Sequence, residues 1–125
     1  MDKDQLIAEI ARLIVEDRKA SAQSWDKYAL IAFHGHGGVS KLNGFRYTGD
    51  GAGEPATPES FEIEDRLDEL REATRIDDKP GWDACVFKLD RATSRVTADF
   101  AYDDADTWEV TPATAAAIAE RARPS

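Results

Sequence analysis

Two groups of side chains in this 125-residue chain carry the chemistry to bind a ligand or a partner. The first is His34-Gly35-His36, which holds both histidines of the sequence. On an extended segment, residues i and i+2 point to the same side, so the two imidazoles would face one ligand. A zinc site built on them needs at least one carboxylate or water as well, because zinc is held tetrahedrally. The run His34-Gly35-His36-Gly37-Gly38 reads instead as a glycine turn with positive φ, a poor scaffold for rigid ligation. It also lacks the lysine and the following helix of a phosphate-binding loop. The second group is the densest acidic stretch, Asp99, Asp103, Asp104, Asp106 and Glu109. A calcium loop needs oxygen ligands at alternating positions, a central glycine and a glutamate at its twelfth position. Asp99-Phe100-Ala101 breaks that pattern at once. No cofactor and no metal is therefore expected, and two readings of the acidic stretch stay open. It is a solvated face, or it is a docking surface whose charge selects a basic partner and speeds association.

Covalent catalysis finds little support. No Ser/His/Asp, Cys/His or nucleophile-elbow pattern occurs, and Cys85 falls inside an apolar run where burial would raise its pKa and leave it inert. Paired carboxylates for acid–base work cannot be picked out by spacing from 25 acidic residues. Trp82 and Tyr102 are expected in the core. Trp108, set in a loop between acids, is the better candidate for an interface anchor. The net charge of −9 repels phosphate backbones and anionic lipid heads, which argues against nucleic acid and membrane as partners. The same acidity also serves plain solubility.

The elements that must position these residues are read from periodicity. Leu6, Ile10, Leu13 and Ile14 make a helical stripe within 2–19, with Asp2 and Gln5 placed as a capping box. Tyr28 to Phe33 is a continuous apolar run, the mark of a strand buried on both faces. A second strand follows around Val39 to Tyr47, joined to the first by a long loop. Thr48 to Pro58 is rich in glycine and proline with no apolar anchor, and is expected to be a mobile loop. Thr57-Pro58 reads as the cap and first residue of a helix whose buried side is Phe61, Ile63, Leu67, Leu70 and Ile76. Trp82 to Leu89 and Val96 to Tyr102 form a second hairpin, and a last helix starts at Thr111-Pro112 with a stripe of Ala115, Ile118, Ala119 and Ala122. The order is α-β-β-α-β-β-α, an α+β fold with an antiparallel sheet of about four strands and helices packed on it. Residues 1–125 are expected to form a single domain. Composition agrees, at 42% hydrophobic and 33% charged residues. The opening Met1-Asp2-Lys3-Asp4 runs straight into the amphipathic pattern, so no signal peptide is expected. No apolar run approaches the roughly 20 residues that span a bilayer. With a single cysteine, an internal disulfide is impossible, and the expected compartment is the cytoplasm.

Gly81-Trp82 through Phe87, Asp90, and then Asp99-Phe100-Ala101-Tyr102-Asp103-Asp104 resemble the YezG-like family of immunity proteins. That family has an opening helix, a strand pair, a middle helix, and a tryptophan-led strand that turns into one ending in phenylalanine-x-tyrosine-aspartate. The match in layout covers most of the chain, and specific residues match over 81–104. The HGHGG hairpin and the length of the 48–58 loop depart from the family pattern. What the resemblance implies is a non-enzymatic antitoxin of a bacterial polymorphic toxin system, which binds its cognate toxin domain by protein–protein contact. Many such toxins are nucleases with basic clefts, and an acidic protein suits such a cleft by charge. Asp103, Asp104, Asp106, Trp108 and Glu109 are the residues expected in the contact. The alternatives are a small metal-binding protein or metal-dependent enzyme using His34 and His36, and an adaptor domain that dimerises through the same surface.

Overall fold

The computed structural model describes residues 2–35, 38–76, 78–102 and 105–124, with Ser40 described by its backbone alone. Among these residues it has three α-helices and a five-stranded antiparallel sheet, an α+β architecture. Helix α1 (Lys3–Glu16) begins with the expected capping box between Asp2 and Gln5. Strands β1 (Lys27–Gly35) and β2 (Gly38–Tyr47) form the first hairpin. Strand β3 (Glu54–Pro55) precedes helix α2 (Phe61–Thr74). Strands β4 (Ala84–Asp90) and β5 (Arg95–Ala101) form the second hairpin. A short 3-10 turn (Ala105–Trp108) then leads to helix α3 (Ala115–Ala122). The order across the sheet is β3-β2-β1-β4-β5.

The central place of β1 follows from its sequence. Tyr28, Leu30 and Ala32 pack under α1 and α2 with Leu6, Ile10, Ile14, Ile63, Leu67, Leu70 and Phe87. Ala29 and Ile31, on the other face, meet Ile118, Ala119 and Ala122 of α3 with Phe45, Tyr47 and Val86. A strand covered on both sides cannot alternate polar and apolar residues, which is why this run is continuously apolar. The α3 face is thin because its helix offers small side chains. The Tyr47 hydroxyl reaches past them to donate to the Ala119 carbonyl at 2.6 Å.

Several boundaries differ from those the sequence suggests. The β1–β2 ladder continues through the glycines to the pair Gly35↔Gly38, so the connection is shorter than the long loop expected. The Thr48–Pro58 segment is stitched down rather than free. Its Glu54–Pro55 pairs with Arg46 and Phe45 as a fifth strand, and Ala56 N–H donates to the Gly44 carbonyl at 2.8 Å. Tyr28 supplies a further anchor from beneath the sheet, its hydroxyl donating to the Ala56 carbonyl at 2.6 Å. Gly44 makes this possible: a Cβ there would lie 2.0 Å from the Tyr28 hydroxyl. Thr57 spends its hydroxyl on the Gly44 N–H rather than on a helix cap, and Pro58 lies buried ahead of the helix.

Helix α2 therefore starts later, after Ser60, whose side chain makes no capping bond. The cap comes from Asp17, the residue that ends α1. Its carboxylate, only 6% exposed, accepts the backbone N–H groups of Glu59 and Ser60 ahead of α2 and of Lys19 and Ala20 on its own side. Donors at a helix start have no intrahelical partner, and a carboxylate there satisfies them and complements the helix dipole. Helix α3 likewise begins three residues beyond Pro112, after a turn in which Thr111 and Thr114 bond each other.

Candidate functional site

Antiparallel pairing gathers the segments of chemical interest at one end of the sheet. The register Phe33↔Ala84 and Ala84↔Ala101 sets the end of β1, the start of β4 and the end of β5 side by side. The loop after α2 reaches the same end, tied there by the Arg71 guanidinium, which donates to the Trp82 carbonyl at 2.6 Å. On the opposite side of β1, Asp68 of α2 accepts the Val39 N–H at 2.9 Å.

Three features meet at this end. The first is a cavity of about 280 Å³ lined by Phe33, His34, Lys41, Asp106 and Glu109. Successive strand residues normally face opposite sides, but the β1–β2 register shifts between Phe33 and His34, and both residues reach this cavity. The structure thus brings one histidine of the glycine turn beside two of the acids singled out from sequence. His34 Nδ1 is buried without a hydrogen-bond partner among the described residues. Lys41, also in the cavity lining, donates to the Val110 carbonyl at 3.1 Å. His36 lies outside the described residues, and among those described no group of three or more His, Cys, Asp or Glu side chains is placed to hold a metal ion.

The second feature is a cavity of about 400 Å³ lined by Ile76, Lys79, Pro80 and Tyr102. Ile76 is 63% exposed and Tyr102 41% exposed, so neither belongs to the core that the helical and strand periods predict for them. Helix α2 ends at Thr74, so Ile76 has left the helical period before its face comes round. Asp78, with φ of 66°, then turns the chain. Tyr102 is the first residue beyond β5, and strand alternation no longer governs it. At the other end of α2, Phe61 is 80% exposed, at the first position of a helix that begins three residues later than the expected start at Pro58. Trp82 is fully buried, as expected, and stacks on Phe100 with ring centroids 6.0 Å apart.

The third feature is the acidic stretch itself. Residues 99–109 contain five acids and no lysine or arginine. Asp103 and Asp104 lie outside the described residues. Asp99, Asp106 and Glu109 are exposed, and Asp78 and Asp83 add exposed carboxylates nearby. Trp108 is half-buried: it packs against the α3-side core, with the Arg121 guanidinium 3.9 Å above its ring. The same arginine donates to the Thr107 carbonyl at 2.8 Å. Trp108 therefore anchors the acidic loop to the body of the protein, and the exposed aromatic ring at this end is Tyr102.

Cys85 is buried in β4, and that burial pushes its thiol well above the usual range. A thiol held protonated is neither a nucleophile nor a ready metal ligand. No described helix is long and apolar enough to cross a membrane. Neither the comparison with protein-family models nor that with curated proteins found a match for this chain.

Proposed function

We propose that the protein is a non-enzymatic immunity protein, an antitoxin that neutralises a cognate toxin domain by binding it through the acidic end of its sheet. The observation that carries this reading is one of juxtaposition. An arginine- and lysine-free run of five acids adjoins two exposed apolar side chains, Ile76 and Tyr102, on a small cavity. Interfaces of this kind combine an aromatic anchor that fills a pocket with charges that steer encounter. The resemblance of residues 81–104 to YezG-like immunity proteins supports the same role. Charge supports the class of target: a nuclease offers a basic substrate cleft, and a net charge of −9 is complementary to it. The contact surface comprises Asp103, Asp104, Asp106 and Glu109, with Trp108 holding their loop. The protein works in the cytoplasm of the cell that makes the toxin, without contact to nucleic acid or membrane.

Co-expression tests this directly. The tagged protein, produced beside each product of its neighbouring reading frames, should co-purify with one that is toxic when expressed alone. Replacing Asp103, Asp104, Asp106 and Glu109 together by alanine should slow association by about tenfold or more at low salt and flatten its salt dependence. An unchanged association rate with full protection of the cell would rule out this surface. A purified chain that dimerises with rising concentration and captures no neighbour would favour an adaptor role instead.

A further inference from the structure

The opposite end of the sheet carries a second, chemically different cleft. Where the last turns of α1 part from the β4–β5 hairpin, a cavity of about 450 Å³ opens between Ala11 and Val15 on one side and Trp25, Leu89 and Val96 on the other. Its volume falls within the roughly 300–1,000 Å³ typical of small-molecule sites. Val15, an apolar side chain in the wall of this cleft, is 42% exposed.

The rim is where this cleft departs from the acidic character of the chain. Arg12, Glu16, Asp90, Arg91 and Arg95 surround it. Arg12 is committed to Glu9 and Glu16 by ion pairs along α1. Asp90 turns inward on its own loop, accepting the N–H groups of Ala92 and Thr93. Arg91 and Arg95 are exposed and make no ion pair among the described residues. The Arg91 guanidinium carbon lies over the Trp25 ring, 4.0 Å from its centroid, a contact that leaves the guanidinium charged and able to donate to an anion. Beneath it the Trp25 indole N–H is buried without an acceptor among the described residues.

We propose that this cleft binds a small amphipathic carboxylate of the fatty-acid class. Its chain lies against Val15, Leu89 and Val96, and its carboxylate meets Arg91 and Arg95. The assignment is independent of the immunity reading, since the two sites lie at opposite ends of the sheet. Apolar walls select the chain, and the Arg91 and Arg95 guanidinium groups select the negative head over a neutral or cationic one.

Titration of the full chain with decanoate below its micellar concentration, followed by calorimetry and by the Trp25 indole N–H resonance, tests the proposal. Trp25→Phe assigns that resonance. Saturable one-to-one binding that shifts it is expected, with decanol weaker by about tenfold and decyltrimethylammonium not binding. The double variant Arg91→Glu/Arg95→Glu, confined to exposed positions, should weaken decanoate by about tenfold or more. Val15→Trp, on the exposed side of α1, should fill the cleft and abolish binding. Absence of saturable decanoate binding overturns the proposal. So does binding that survives both Val15→Trp and the charge reversal, or decanol binding as tightly as decanoate.

Discussion

Asp17 and Asp106 are one residue type used in two opposite ways. At the α1–α2 junction, the Asp17 carboxylate is buried and its oxygens take backbone N–H groups from both sides of the connection. At the acidic end of the sheet, Asp106 and Glu109 are exposed, and their carboxylates accept no hydrogen bond among the described residues. A net charge of −9 counts all three alike. The difference is that a buried carboxylate is tolerated only when fully bonded, whereas an exposed one is bonded by water and stays available to a partner. Composition therefore says little about which acids hold the fold together. The topology that brings Glu59 and Ser60 to the end of α1 decides it.

The comparison predicts its largest effect at Asp17. Asp17→Ala removes the carboxylate acceptor from four backbone N–H groups at once, that of Ala20 buried and those of Lys19, Glu59 and Ser60 part-buried, and the loss of stability is expected to be about 4 kcal/mol by urea unfolding. A loss below about 1 kcal/mol would mean that water replaces the carboxylate and that the junction resembles the acidic surface after all. Gly44→Ala comes next. The added methyl would sit 2.0 Å from the Tyr28 hydroxyl and 2.7 Å from the Ala56 carbonyl, so it must part the two groups whose hydrogen bond pins the 48–58 loop. Overpacking of this kind costs about 2–3 kcal/mol. Faster amide exchange at Ala56 would accompany it, moving that loop from the stitched class of region towards the open one.

What could be read from the chain divides along the same line. The capping box of α1, the doubly buried β1, the two hairpins and the small-residue stripe of α3 were all legible, because each is a local pattern that packing reinforces. The fifth strand was not. Glu54-Pro55 has no strand signature, and only the absence of a side chain at Gly44, a non-local fact, lets the segment dock. Asp17 was equally opaque, since its partners at Glu59 and Ser60 are more than forty residues away. At the candidate site, the acidic stretch was visible as composition and His34 as a motif. Their meeting in one cavity depends on the strand register. Periodicity alone predicts Ile76 and Tyr102 in the core, because nothing in the sequence marks that α2 and β5 end one or two residues before them.

A smaller effect is expected at Ser60. By position it is the N-cap of α2, where loss of a capping hydroxyl ordinarily costs about 1 kcal/mol. Its side chain makes no capping bond, and Asp17 already accepts the Ser60 N–H at 3.0 Å. Ser60→Ala should therefore shift the unfolding free energy by less than about 0.5 kcal/mol. If it costs as much as an ordinary cap, the division of labour between the two residues is wrong. In the background of Asp17→Ala, the Ser60 hydroxyl is left to take over capping at the N-cap position, and the same substitution should then cost more. A double-mutant cycle measures that coupling.

The smallest effect is the most discriminating, because its sign is opposite. Asp106→Asn and Glu109→Gln remove charge from a chain that carries nine more acids than bases, and break no hydrogen bond among the described residues. Relief of self-repulsion should leave the protein unchanged or more stable by up to about 0.5 kcal/mol, with the gain fading as salt screens it. Asp17→Asn, the same carboxylate-to-amide change, removes one acceptor oxygen from a site that uses both, and should destabilise at every salt concentration. Unfolding midpoints of the three variants at low and high ionic strength set the signs side by side. A destabilising Asp106→Asn would show that the acidic end contributes to holding the fold, and the case for a surface kept free for a basic partner would lose its footing.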